Sequence, residues 1–149
     1  MMKFKIRGGK KLSGEIAVKG AKNAALKAMA ASLLFETPVV LENMPEIEDV
    51  SRMGELLEGV GARMKQREGI FEIDPRKIDR SELKKEIAKR LRASIVLVGS
   101  LLARLGKASF PYPGGCVIGR RPIDVFLDGW RAMGVEIKEE KGNGFHAET

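Results

Sequence analysis

Ala31-Ser32-Leu33-Leu34 returns as Gly99-Ser100-Leu101-Leu102, and Gly59-Val60-Gly61-Ala62-Arg63-Met64 returns as Ala132-Met133-Gly134-Val135-Glu136-Ile137. Each matched pair holds the same place in a recurring order of helix, strand, helix and hairpin. Self-similarity of this kind marks one supersecondary unit used more than once. The interval between the two motifs is longer in the second copy, and the extra residues fall near Cys116. An insertion in one copy is where function is usually added.

The elements between these anchors follow from periodicity. Residues 22–35 are rich in Ala, Leu and Met, with no Gly or Pro, which predicts a largely buried helix. Thr37-Pro38 ends it, and 39–42 reads as a short strand. Ile47, Val50, Met53, Leu57 and Val60 recur at helical spacing, with Glu46, Glu48 and Asp49 at the front to complement the helix dipole and Gly61 at the back. Residues 62–66 and 70–73 predict a hairpin across Arg67-Glu68-Gly69. A polar connection follows at 75–80, and Ser81 is a candidate helix start. A stronger helix is predicted over 92–105, stopped by Gly106, then a strand over 108–112. Pro122 suits a first helical turn, followed by the stripe Ile123, Phe126, Leu127, Trp130 and Met133. Residues 135–139 and 145–148 predict the second hairpin. Ahead of the first unit, 3–7 and 15–19 alternate polar and apolar residues, which predicts two strands.

The chain has 149 residues, enough for one modest domain or part of a larger one. Apolar residues make up 44% and aromatics 5%, so the core must be mostly aliphatic. A net charge of +7 favours anionic partners without choosing among nucleic acid, acidic lipid and phosphorylated metabolites. Lys84, Lys85, Lys89, Arg90 and Arg92 form the densest basic cluster, which reads as a solvated helix face. One cysteine excludes an internal disulfide framework. No apolar leader follows Met1, and the longest apolar stretch, 93–103, is too short to span a bilayer. The expected location is the cytoplasm.

Three places carry candidate chemistry. Gly20-Ala21-Lys22-Asn23-Ala24-Ala25 is a glycine turn into a helix, where free backbone N–H groups, the dipole and the Lys22 charge attract anions. Arg92 opens another helix. Pro113-Gly114-Gly115-Cys116-Val117-Ile118-Gly119-Arg120-Arg121-Pro122 sets a lone thiol in a glycine-rich stretch with two arginines close behind. Arginines recognise phosphate and carboxylate and lower a thiol pKa, so the stretch suits both a reactive sulfur and an anionic substrate. Arg121, beside the helix start, is the better anion ligand of the two. His146, the lone histidine, reads as structural or exposed, and Trp130 and the methionines as core. No metal-ligand spacing, Walker-type loop or dinucleotide fingerprint is present.

Together these stretches resemble the N-terminal part of the UDP-N-acetylglucosamine enolpyruvyl transferase family. The likeness rests on Lys10-Lys11-Leu12-Ser13-Gly14-Glu15, the Gly20–Ala25 stretch, Leu91-Arg92-Ala93-Ser94-Ile95, and Pro113-Gly114-Gly115-Cys116 with Ile118-Gly119-Arg120-Arg121-Pro122-Ile123-Asp124, and it covers essentially the whole chain. The sister family that makes enolpyruvylshikimate phosphate shares the fold but lacks the Pro-Gly-Gly-Cys pattern. The resemblance implies an α/β (α+β) fold: repeated helix-and-sheet units of an inside-out α/β barrel, two of them present here, with the helices packed inside. It implies transfer of the enolpyruvyl group of phosphoenolpyruvate to the sugar 3-hydroxyl of UDP-N-acetylglucosamine, with release of phosphate. Lys22 and Asn23 would face phosphoenolpyruvate. Arg92, Arg121, Pro122, Ile123, Asp124 and Val125 would line the nucleotide-sugar site. Cys116 would protonate the enolpyruvyl methylene, form a covalent adduct with phosphoenolpyruvate and be the thiol that fosfomycin alkylates. No cofactor or metal is implied, and neither nucleic acid nor membrane as a partner. Phe126 stands where many relatives have histidine, and Val96 where some have an aromatic residue.

The resemblance also implies a division of the chain. Residues 1–21 would be initial strands belonging with a C-terminal domain that is not part of this sequence, and 22–149 a partial catalytic domain. Its repeats would span about 22–74 and 90–149, joined by a linker at 75–89. The family's third repeat, aspartate base and further arginines also lie outside the sequence, so the chain alone is expected not to turn over substrate. Two alternatives stay open at this level: a basic, non-catalytic nucleotide- or nucleic-acid-binding module on the same fold, and self-association through uncovered edges.

Overall fold

Ala, Leu and Met at 22–31 wind into α1 (Lys22–Ala31), and the chain tightens into a 3-10 turn at Ser32–Leu34 before Thr37-Pro38 ends it. A computed structural model describes residues 3–114 and 122–149. After α1 come β1 (Val39–Leu41), α2 (Glu48–Gly59), and the hairpin β2 (Arg63–Arg67) and β3 (Ile70–Asp74). A single short turn of helix, α3 (Lys85–Ala88), and a 3-10 turn at Arg92–Ser94 lead into α4 (Ile95–Leu105). Then follow β4 (Lys107–Phe110), α5 (Asp124–Ala132), and the hairpin β5 (Glu136–Glu140) and β6 (Gly144–Glu148).

The repeat is visible in the topology. One antiparallel sheet runs β1-β3-β2 and the other β4-β6-β5, so in each the last strand of the hairpin is central. Val40 pairs with Glu72 in the first, and Ser109 with His146 in the second. Gly61 and Gly134, at the same place in the two copies, both take positive φ, at 105° and 92°, as the chain leaves α2 and α5. Only glycine adopts that backbone without strain.

The helices pack on one another with the sheets outside them. α1 lies against α2 and α4, and α4 against β4. Met29, Leu33, Met53, Leu57, Leu97 and Leu101 are completely buried between them. Phe71 and Ile73 of β3, and Ala108 and Ala147 of β4 and β6, turn inward. The opposite strand faces carry Lys65, Glu72, Ser109 and His146. One buried hydrogen bond ties the two units: Ser100 Oγ on α4 donates to the carbonyl oxygen of Ala30 on α1 at 2.8 Å. Its counterpart in the first copy, Ser32, donates instead to Met29 O of its own helix at 2.6 Å. Among the described residues no helix is long and apolar enough to cross a membrane.

Three expectations are corrected. Residues 3–7 and 15–19 form no strands; Phe4, Ile6, Leu12, Ile16 and Val18 stand in solvent. Alternation gives a segment two faces but no hydrogen-bonding partner, and none of the described strands pairs with them. Ser81 starts no helix: Glu82 bridges Ser109 in parallel, with Ser109 N–H donating to Ser81 O at 2.8 Å and Leu83 N–H to Ser109 O at 2.9 Å. The connection at 75–89 is thereby drawn into the second sheet, and it buries Leu83 and Ala88 in the core. Lastly, α5 begins at Asp124 rather than at Pro122, with Ile123 as its buried lead-in residue.

Candidate active site

The sequence-derived candidates gather at the starts of helices. Gly20 N–H donates to Asn43 O at 3.1 Å, which ties down the turn into α1. Lys22 and Asn23 follow as the first two residues of α1, both exposed. No side chain caps this helix start and no acid lies in its first turn, so nothing within α1 compensates the positive end of its dipole. Lys22 reaches across to the neighbouring helix, where its Nζ donates to Asp49 Oδ2 at 2.8 Å. Asp49 lies in the first turn of α2, so this ion pair joins two helix starts. The sequence candidates do not include Asp49: its position is legible there only as a complement to the dipole of α2, and the contact with Lys22 is not.

In the second unit, Arg92 Nη2 donates to the carbonyl oxygen of Pro122 at 2.7 Å. Arg92 is half-buried in its 3-10 turn, and α2 packs against that turn. Beyond Pro122, Ile123 is buried and pins the start of α5, while Asp124 and Val125 on the first turn are exposed. Thus Arg92, Pro122, Ile123 and Asp124 come together, as do Lys22 and Asp49, and α2 touches both groups.

Cys116, Arg120 and Arg121 lie outside the described residues. The residues on either side of them are placed. Gly114 N–H points at Ala88 O, 3.4 Å away, and a Cβ on Gly114 would collide with the carbonyl oxygen of Lys89. Pro122 is held by Arg92. Both flanks therefore rest on residues 88–92, and Ser94 Oγ donates to Ala88 O at 3.3 Å to steady that stretch.

Two further titratable contacts lie away from these helix starts, on the sheets. Asp74 accepts from the backbone and the guanidinium of Arg76, which hold its carboxyl well below the usual aspartate range and raise the Arg76 pKa in turn. His146 Nδ1 lies 2.9 Å from Ser109 Oγ on the outer face of the second sheet, as expected of a structural histidine. Among the described residues no group of three His, Cys, Asp or Glu side chains is placed to hold a metal ion.

This arrangement has known relatives. The sequence pattern of EPSP synthase (3-phosphoshikimate 1-carboxyvinyltransferase) matches residues 6–147. The chain belongs to that family. Within the EPSP synthase family, it is 39% identical over 98% of its length to "UDP-N-acetylglucosamine 1-carboxyvinyltransferase 3" of Caldanaerobacter subterraneus subsp. tengcongensis, and covers 37% of that protein. It is 47% identical over 93% of its length to the UDP-N-acetylglucosamine 1-carboxyvinyltransferase of Coxiella burnetii, and covers 32% of it. The chain thus spans about a third of the length of these relatives. Among solved structures, the enolpyruvyl transferase NikO from Streptomyces tendae matches with a TM-score of 0.82 and 26% identity, over 95% of this chain and 31% of that one. The α/β architecture of repeated helix-and-sheet units is therefore that of the enolpyruvyl transferases.

Proposed function

We propose that this chain carries the substrate contacts and the acid of an enolpyruvyl transferase that acts on UDP-N-acetylglucosamine and phosphoenolpyruvate. The observation that carries the reading is its high identity to relatives named for that sugar nucleotide, along a stretch that includes Cys116 and Arg121. The convergence of Gly114 and Pro122 on residues 88–92 supports it, because one flank of the Cys116 stretch meets Ala88 and Lys89 and the other meets Arg92.

The chemistry is as follows. The Cys116 thiol gives its proton to the methylene carbon of phosphoenolpyruvate. The cation-like C2 is attacked by the sugar 3-hydroxyl, which forms the new C–O bond and loses its proton to a base. The C–O bond to phosphate then breaks, inorganic phosphate leaves, and loss of a methyl proton restores the double bond. Lys22 and Asn23, at the open start of α1, hold the phosphate and carboxylate of phosphoenolpyruvate. Arg92 and Arg121 hold the diphosphate, and Pro122, Ile123, Asp124 and Val125 line the nucleotide. Positioning of this kind supplies a large share of such catalysis. In this reading the product feeds peptidoglycan synthesis in the cytoplasm, and fosfomycin alkylates Cys116. Residues 1–21 pair with a further domain, the units at 22–74 and 90–149 form part of the catalytic domain, and this chain alone does not turn over.

The test is an NMR titration of the chain with UDP-N-acetylglucosamine, with duplex DNA as control. Saturable shifts at Arg92, Ile123 and Asp124 with the sugar nucleotide alone are expected. A response to DNA only would replace this reading with that of a basic nucleic-acid-binding module.

A further inference from the structure

Asp49 is the acid that meets a candidate substrate ligand, and nothing in its own helix requires the contact. Its neighbour Glu48 pairs with Arg52 one turn on, which leaves Asp49 as the first-turn carboxylate that crosses to α1. The crossing joins residues 27 apart in sequence, at 2.8 Å, with 51% of the Lys22 side chain and 34% of the Asp49 side chain exposed.

We infer that Asp49 is a positioning residue that fixes the Lys22 ammonium at the start of α1 for the phosphate or carboxylate of phosphoenolpyruvate. The inference rests on the phosphoenolpyruvate site proposed above. A lysine is a point charge on a flexible four-carbon stem, and without a partner it must be ordered anew by each ligand. Asp49 accepts one of its three ammonium protons and leaves two for an incoming anion. A carboxylate so close also opposes a second anion. Here that opposition is weakened from two sides: solvent reaches the pair, and the positive end of the α2 dipole lies under Asp49. Ordering of Lys22 therefore outweighs repulsion, and the pair aids anion binding.

The experiment titrates the labelled chain with phosphoenolpyruvate and reads the Lys22 and Asn23 amide shifts. Asp49→Asn keeps the shape of the side chain, removes its charge, and is expected to weaken binding by roughly two- to fivefold, as for a half-exposed ion pair. Asp49→Glu recovers part of the loss. In a Lys22→Met background the Asp49→Asn change has no further effect, and affinity for UDP-N-acetylglucosamine is unchanged throughout. Equal or tighter phosphoenolpyruvate binding by Asp49→Asn overturns the role of Asp49 and leaves the proposed site standing. An equal loss of UDP-N-acetylglucosamine affinity overturns it too, by making Asp49 a structural residue. No response of Lys22 or Asn23 in the unsubstituted chain overturns the phosphoenolpyruvate site itself, and the role of Asp49 with it.

Discussion

Arg92 Nη2 and the carbonyl oxygen of Pro122 meet at 2.7 Å across 30 residues of chain, and this bond fixes where α5 begins relative to α4. A guanidinium presents its donors in a rigid planar fork. An ammonium offers no such fixed geometry. Arg92→Lys is therefore expected to weaken UDP-N-acetylglucosamine binding by about tenfold, the scale of one hydrogen bond from a charged donor. Calorimetry on the chain checks it. Unchanged affinity would remove Arg92 from the site.

Gly114 passes so close to the backbone of Lys89 that no side chain fits between them. Gly114→Ala must push the two segments apart, at about 1–3 kcal/mol as for other overpacked contacts. The expected result is a lowered urea midpoint together with amide shift changes at Ala88, Lys89 and Arg92. A spectrum unchanged at those three positions would show that the flanks of the Cys116 stretch are not held as described.

Cys116 is assigned by motif, and its test is chemical. Fosfomycin is expected to add its mass once to the unsubstituted protein and not at all to Cys116→Ser, as read by intact mass. An adduct on the serine variant would place the reactive group elsewhere.

Much of this was legible in the sequence because it is local. The helices were marked by apolar periodicity and glycine stops, and the two units by Ser32 and Ser100 in matched motifs. What escaped was non-local. The alternation of 3–7 and 15–19 states a strand's faces but not its partner. Glu82 joins the second sheet through Ser109, 27 positions later, which no local pattern in Ser81-Glu82-Leu83 announces. Asp49 reads as ordinary dipole compensation because its ion pair with Lys22 depends on how α1 packs on α2. The two matched serines also diverge. Ser32 turns back on its own helix and Ser100 crosses to Ala30, a difference set by packing between units.

That crossing bond carries its own prediction. Ser100 is 6% exposed, and its hydroxyl is the donor to Ala30 O. Ser100→Ala removes the donor and leaves a small void at the α1–α4 contact, at an expected cost of about 1–3 kcal/mol in urea unfolding. Ser32→Ala loses only a local bond and should cost less. A larger loss at Ser32 than at Ser100 would mean that the two units are not coupled through this bond.

Asp74 gives the pH dependence. Arg76 depresses its carboxyl pKa in the folded state, so the ionised form is favoured by folding. The contribution is therefore fully present above the ordinary aspartate pKa of about 4. It fades as pH falls below that value and is gone once the pH passes the depressed folded value. Asp74→Asn removes the contribution at every pH. The urea midpoints of the two proteins should differ most at neutral pH and draw together in strong acid. Arg76 stands in solvent while Asp74 is partly covered, so salt reaches the pair from the Arg76 side and the gap should also shrink with added salt. A gap that widens on acidification would reverse the sign and remove the Asp74–Arg76 pair as its source.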